Sequence, residues 1–328
     1  MTNHSAYIAG LGFYVPDRVL TNRELEKMVE TSDEWIRTRT GISERRIAEK
    51  GVGTSELASR AALAALKQAG VSPNDVDLII AATTTPDMPL PSCACFIQQK
   101  IGAKNAAAFD LAAACAGFVY ALVTAEQFIR AGVYKNILVI GADVISPYID
   151  WTERSTCILF GDGAGAALLK PASGKSGILS SVLGSDGQYA DLLTIPCGGS
   201  RRPATHGSVA ENGHTLKMSG SEVFKLAVRG MSEAVIEALS RAKVKKSDVA
   251  CFIPHQANQR IIDAVADRLE LPAEKIFVNL QKYGNTSAAS CAIALCEAVE
   301  QGKIKKGDKV VLATFGSGLV WGALVMEW

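Results

Sequence analysis

AALKQAGVSPNDVDLIIAATT (64–84) and EALSRAKVKKSDVACFIPHQ (237–256) repeat one pattern within a single chain. Each is the end of a helix, a short polar turn and then an apolar run of strand length. Gly70 closes the first helix where a left-handed residue is wanted, and a strand follows from Asp77. Asp75-Val76 matches Asp248-Val249 at an offset of 173. Working outward, AAFDL (107–111) precedes a helix from Cys115 that ends near Gly132. IFVNL (276–280) precedes one from Thr286 that ends near Gly302, at offsets of 169 for the strands and 170 for the glycines. The halves also close alike. NILVIGAD (136–143) then FGDGAGAALL (160–169) pairs with KVVLATFG (309–316) then SGLVWGALVM (317–326). Order and spacing that agree through several elements predict a duplicated α/β fold, divided into residues 1–174 and 175–328 at a junction in SGKSG (173–177).

Two helices refine this picture. CAGFVYALVTA (115–125) has almost no polar face, and TSAASCAIALC (286–296) is built from small and apolar residues. A helix apolar all round is buried. One such helix per half predicts a five-layer α-β-α-β-α architecture, with two central helices between two sheets.

Bulk properties bound the function. Lys plus Arg (34) nearly balances Asp plus Glu (33), so no global field favours nucleic acid or a membrane surface. No apolar run is long enough to span a bilayer. The start, MTNHSAYIAGLGFYVP, lacks a basic segment followed by an apolar one, so no signal peptide is expected. The eight cysteines sit mostly in apolar or small-residue runs, with no CxxC and no metal-like Cys/His spacing. They read as free thiols, and a reducing, cytoplasmic location is the expectation.

The residues able to do chemistry are few. Of four histidines, His4 is terminal, and His206 and His214 lie in the polar stretch PCGGSRRPATHGSVAENGH (196–214); His255 alone ends an apolar strand. Cys115 begins a buried helix in the first half, and Asn285 occupies the equivalent turn in the second. Ligands bind outside the carboxyl ends of parallel strands, so all three side chains are expected at one edge of the fold. A helix start favours negative charge, which predicts a lowered thiol pKa at Cys115 and a nucleophilic thiolate. FGDGAG (160–165) reads as a tight turn, while FGSG (315–318) lies where a backbone N–H suits an oxyanion hole. Neither matches a phosphate-binding loop.

Seven stretches together resemble one family: TSDEWIRTRTGI (31–42), AFDLAAACAGFVYAL (108–122), ILFGDGAGA (158–166), VFKLAV (223–228), PHQANQRII (254–262), YGNTSAAS (283–290) and FGSGLVWG (315–322). The chain is similar over nearly its whole length to β-ketoacyl-acyl-carrier-protein synthase III, the initiating condensing enzyme of type II fatty-acid synthesis. The resemblance implies a thiolase-like fold and a homodimer. The substrates would be an acyl-CoA primer, acetyl-CoA by default, and malonyl-acyl carrier protein, with coenzyme A entering as a thioester and no separate cofactor or metal.

Cys115 would carry the acyl group, with His255 and Asn285 completing a triad. The backbone N–H groups of Cys115 and Ser317 would form an oxyanion hole; many members carry Gly at the latter position. Trp35 and Arg154 would sandwich the adenine, with Thr31 and Arg39 nearby, and Phe224 and Asn258 would line the pantetheine tunnel. Lys225, Arg229, Arg260 and Arg268 would receive the acidic carrier protein, although Asp267 stands where well-known members have Lys. TPDMPLPS (85–92) resembles a segment that closes the partner's acyl pocket, with Leu90 where some members have Phe.

Related classes share part of this set. A quinolone or polyketide starter enzyme would use the same Cys/His/Asn residues. A cysteine hydrolase or simple acyltransferase would have little need of Asn285, and a non-catalytic carrier-binding subunit would have little need of Cys115. A degradative thiolase would carry a second Cys in the FGSG turn.

Overall fold

A computed structural model describes residues 5–172 and 176–328; His4 and most of the SGKSG junction lie outside them. The first sheet contains β1 (Ala6–Tyr14), β2 (Leu78–Ala82), β3 (Ala107–Leu111), β4 (Ile137–Asp143) and β5 (Gly163–Pro171), in the order β1-β5-β4-β2-β3. The second contains β6 (Gly177–Ser185), β7 (Val249–Pro254), β8 (Lys309–Gly316) and β9 (Val320–Glu327), in the order β7-β8-β9-β6. Matched from β1 and β6 inward, the sheets have one topology, including directions: two antiparallel pairings, then parallel ones.

The helices fall into three layers. The helix α1 (Asp33–Thr40) belongs to the entrance described below. The pair α2 (Thr54–Ala69) and α3 (Cys93–Ile101) covers the outer face of the first sheet. Between the sheets lies α4 (Gly117–Arg130), in contact with strands of both. On the outer face of the second sheet are α5 (Gly220–Ala242) and α6 (Gln259–Leu269), while α7 (Ser290–Glu300) joins α4 in the middle layer. This is the five-layer order expected from the two apolar helices. Phe118, Leu122, Leu295 and Ala292 share one buried cluster with Ile80 and Leu312 from the two sheets. Among the described residues, no helix is long and apolar enough to cross a membrane.

The middle layer is thin because its contacts use small residues. A Cβ on Gly165 would meet the Ala292 side chain at 2.4 Å, and one on Gly141 would meet the Ala288 carbonyl oxygen at 2.3 Å. Both distances are below any real Cβ contact, so these strand glycines set how closely α7 and its leading turn rest on the first sheet.

The second half departs from the expected pattern at IFVNL. Only one parallel bridge forms, Phe252 with Ile276, in place of a strand over 276–280. The Gln256 side chain takes over part of the ladder: its amide N–H groups donate to the carbonyls of Pro254 and Phe277, and its Oε1 accepts from Asn279 N. Side-chain bonds that depend on the tertiary fold thus replace backbone pairing.

Gly165→Ala is expected to destabilise the protein by about 1–3 kcal/mol, the usual penalty for forcing an extra carbon into a packed core. Urea unfolding of the variant beside the parent checks this; an unchanged midpoint would show that the layers have slack.

Candidate active site

The carboxyl ends of the strands deliver the site. Beyond β3 the chain makes a 3-10 turn over Ala114–Ala116 and enters α4, which places Cys115 in that turn. In the second half a 3-10 turn over Ser287–Ala289 leads into α7, and Asn285 sits just ahead of it. Ala114 (φ 45°) and Ser287 (φ 50°), related by the duplication, are both non-glycine residues in the left-handed region. Such strain persists only where surroundings over-determine it. At Ser287 they do: the Asp143 carboxylate accepts from Thr83, Thr84 and Thr85 through Oδ1 and from Ala288 N, the next residue, at 3.1 Å through Oδ2.

Asn285 is held along its whole backbone. Its N–H donates to the Leu159 carbonyl at 2.8 Å, and its carbonyl accepts from Gly161 N at 3.1 Å. The FGDGAG turn therefore pins a site residue as well as joining strands. The Asn285 Oδ1 accepts from Ser287 N at 2.9 Å. With that oxygen engaged, the amide NH2 is the free end of the side chain.

Cys115, His255 and Asn285 all line one cavity of about 740 Å³. All three are more than nine-tenths buried. The Cys115 Sγ lies 3.4 Å from Ser287 Oγ, and the His255 Nδ1 lies 2.6 Å from Ser290 Oγ. Gly316, at the end of β8, also lines this wall; a Cβ there would come within 2.7 Å of Cys115 N.

The electrostatics overturn one expectation. Burial pushes the Cys115 thiol up to about 12, with the Ser287 hydroxyl pulling back in part and Asp143 adding to the rise. A lowered pKa from the helix start was expected, but loss of hydration at the buried sulfur drives it the other way. Burial also holds the His255 imidazole down to about 4. At neutral pH the ligand-free site is a thiol beside a neutral imidazole, with no ion pair.

Other expected residues divide between the cavity and its surroundings. Trp35, Arg39, Phe224 and Asn258 line the cavity; Arg154 and Thr31 do not. The Arg154 guanidinium lies 4.7 Å from the centre of the Trp35 ring, and its Nη1 donates to the Glu30 carbonyl. An aromatic ring between them would need about 7 Å, two contacts of about 3.5 Å each, so the pair must part to admit one. Thr31 Oγ1 is buried without a hydrogen-bond partner beside this point.

Of the basic residues, Lys225 and Arg260 line the cavity, whereas Arg229 is exposed outside it and Arg268 pairs with Glu233 at 3.5 Å. Lys225 is itself paired with Glu222 at 3.0 Å. Leu90 is 84% exposed and does not reach the cavity of its own chain. Ser317 follows the cavity-lining Gly316, with its hydroxyl bonded to the Leu193 carbonyl.

The same motifs and the same fold occur together in known proteins. Residues 109–187 match the family 3-oxoacyl-[acyl-carrier-protein (ACP)] synthase III, and residues 239–328 match its C-terminal part. A β-ketoacyl-[acyl-carrier-protein] synthase III of Caldanaerobacter subterraneus subsp. tengcongensis is 53% identical over 99% of this chain and 98% of its own. The chain belongs to the 3-oxoacyl-[acyl-carrier-protein] synthase III family. The synthase III of Clostridioides difficile is likewise 53% identical, over 99% of both chains. The crystal structure of the synthase III from Aquifex aeolicus superposes with a TM-score of 0.91 at 49% identity, covering 98% of this chain and 100% of that one. Against this synthase III background, the parts that sequence reasoning missed are Ser287, Ser290 and Asp143. The first two lie inside YGNTSAAS, where hydroxyls on a buried helix start were the available signal; Asp143 gave none.

Alkylation tests the thiol's state. Iodoacetamide should modify Cys115 of the ligand-free protein slowly at pH 7, and the rate should keep climbing with pH towards about 12, because burial favours the uncharged thiol. A rate already level at neutral pH would show a preformed thiolate.

Proposed function

We propose that this chain performs the initiating condensation of fatty-acid synthesis, joining an acyl-CoA primer to malonyl-acyl carrier protein through an acyl group carried on Cys115. The observation that carries the residue roles is the convergence of Cys115, His255 and Asn285 on one cavity, with Asn285 turned so that its amide NH2 is free.

In the first half-reaction the Cys115 sulfur attacks the acyl-CoA carbonyl. The bond from that carbon to the coenzyme A sulfur breaks, and coenzyme A leaves as its thiol with the proton that Cys115 gives up. In the second, the bond between the malonyl carboxylate and its neighbouring carbon breaks. Carbon dioxide departs and the electron pair passes into the thioester enolate. N–H groups of His255 and Asn285 donate to the enolate oxygen, a charge that exists only once this bond is breaking. The enolate carbon attacks the Cys115 thioester, with the backbone N–H groups of Cys115 and Ser317 receiving the oxyanion. The bond to sulfur breaks, the sulfur takes up a proton from solvent, and 3-oxoacyl-carrier protein is released. Two products separated by a covalent enzyme form give ping-pong kinetics. No resident cofactor enters the scheme.

The cavity mouth supplies the binding roles. Trp35 and Arg154 part to hold the adenine, Arg39 and Thr31 flank them, and Phe224 and Asn258 guide the pantetheine arm. Lys225 and Arg260 at the cavity, with Arg229 nearby, suit an acidic carrier. Lys225 and Arg268 are each paired in the ligand-free chain, with Glu222 and Glu233, so an acidic carrier must displace those partners.

A homodimer fits the first sheet. Strand β3 is one of its two edge strands, and its outer hydrogen-bonding edge is one that a second copy can extend. Leu90 and Met88, both exposed, then reach the partner's acyl pocket. Eight unpaired cysteines suit a reducing cytoplasm.

Mass spectrometry after incubation with a panel of acyl-CoAs should find the acyl group on Cys115, and adding malonyl-carrier protein should convert it to 3-oxoacyl-carrier protein. Acylation with no new carbon–carbon bond would make the chain a simple acyltransferase instead. Asn285→Ala should leave acylation largely intact and lower condensation by about 10²–10³-fold, the cost of one oxyanion donor. Equal loss of both steps would remove Asn285 from the assigned role.

Analytical ultracentrifugation should give twice the chain mass. In the acyl-CoA panel, Leu90→Phe should shift preference towards shorter primers. An unchanged profile would take Leu90 out of the acyl pocket.

A further inference from the structure

His255 Nδ1 and Ser290 Oγ are 2.6 Å apart, and both residues are buried. One proton lies between them, and either group can supply it. The surroundings decide which. Ser290 opens α7 within a wall of small residues, and among the described residues no carbonyl or carboxylate oxygen accepts from its hydroxyl. The Ser290 hydroxyl also interacts with the Cys291 sulfur, a weak acceptor. If Nδ1 carried the proton, the Ser290 hydroxyl would be left with only that sulfur to donate to. If the hydroxyl donates to Nδ1, both buried groups are satisfied, and the cost of an unmade buried hydrogen bond is avoided.

We propose that Ser290 is a positioning residue that fixes the tautomer of His255, keeping Nδ1 as the acceptor and the proton on Nε2. The Nε2 atom has no partner among the described protein groups, and the ring lines the cavity. His255 is thereby set as a donor to the substrate, not as a base waiting for the Cys115 proton. Its neutrality makes the choice between tautomers matter, because a protonated ring would donate from both nitrogens. The parallel with Asn285 is close. There, Ser287 N ties off the side-chain oxygen and leaves NH2 free. A single turn, residues 285–290, thus aims both nitrogen donors by occupying the opposite end of each side chain.

The catalytic consequence rests on the condensation reading, but the tautomer itself does not, so the two are tested separately. With ¹⁵N-labelled histidine, the His255 ring signals, assigned by their loss in His255→Gln, should show a protonated Nε2 and an acceptor Nδ1 in the ligand-free protein. In Ser290→Ala the signals should move towards a mixture of tautomers. Single-turnover acylation of Cys115 should stay within about threefold of the parent. Decarboxylative turnover should fall about 10- to 100-fold, less than deleting a donor outright, with little change in KM for the malonyl substrate. Ser290→Thr, which retains the hydroxyl, should restore both the tautomer and turnover.

A protonated Nδ1 in the parent would overturn the proposal whatever the enzyme's activity. So would an unchanged tautomer in Ser290→Ala, or loss of acylation and decarboxylation to the same degree. If the parent never acylates Cys115, the condensation reading falls, and the ring signals still decide the tautomer.

Discussion

The near contact of two helix starts between two sheets is the constraint on which this structure depends. The turn carrying Cys115 and the turn Asn285–Ser290 meet in the middle layer, and neither half of the duplication is a site without the other. What permits the contact is the lack of side chains. Gly117 faces Ala82, with Ala288 just beyond, and Gly141 lies under the Ala288 carbonyl. What orients it is a single buried carboxylate, Asp143, which bonds the threonines at the end of β2 on one side and Ala288 N on the other. Packing brings the turns close, and hydrogen bonding sets their geometry.

A site built this way starts uncharged. The sulfur and the imidazole lose hydration together, which raises one pKa and lowers the other, so both remain neutral. A preformed ion pair would stabilise the ground state of the free enzyme. Under the proposed condensation, the neutral arrangement would leave its donors uncommitted until negative charge develops on a bound thioester, where a preorganised N–H group lowers a barrier most. The residues around the triad serve this economy of protons: Ser287, Ser290 and the 159–161 segment each occupy the polar atom that is not needed.

Much of this was legible in the sequence. The duplication could be read from offsets, the middle layer from helices without a polar face, and the three site residues from their places at strand ends. Each rests on local pattern, which periodicity encodes directly. What stayed hidden depends on partners far along the chain. The thiol pKa follows from enclosure by the whole fold, which opposes the local helix effect. The missing strand at 276–280 follows from the Gln256 amide, and the closed Trp35–Arg154 pair from the meeting of segments 119 residues apart (154 − 35). The hydroxyls of Ser287 and Ser290 were present in a recognised motif, but their tasks needed coordinates.

Strand β3 runs into the turn that carries Cys115 with only Ala112 and Ala113 between Leu111 and Ala114. That edge of the sheet is thus mechanically continuous with the sulfur. Where a second copy pairs along that edge, the backbone leading to Cys115 gains a ladder of hydrogen bonds that a lone chain lacks. Under the proposed dimer, specific activity would fall on dilution as the chains part, because the lone chain lacks that support.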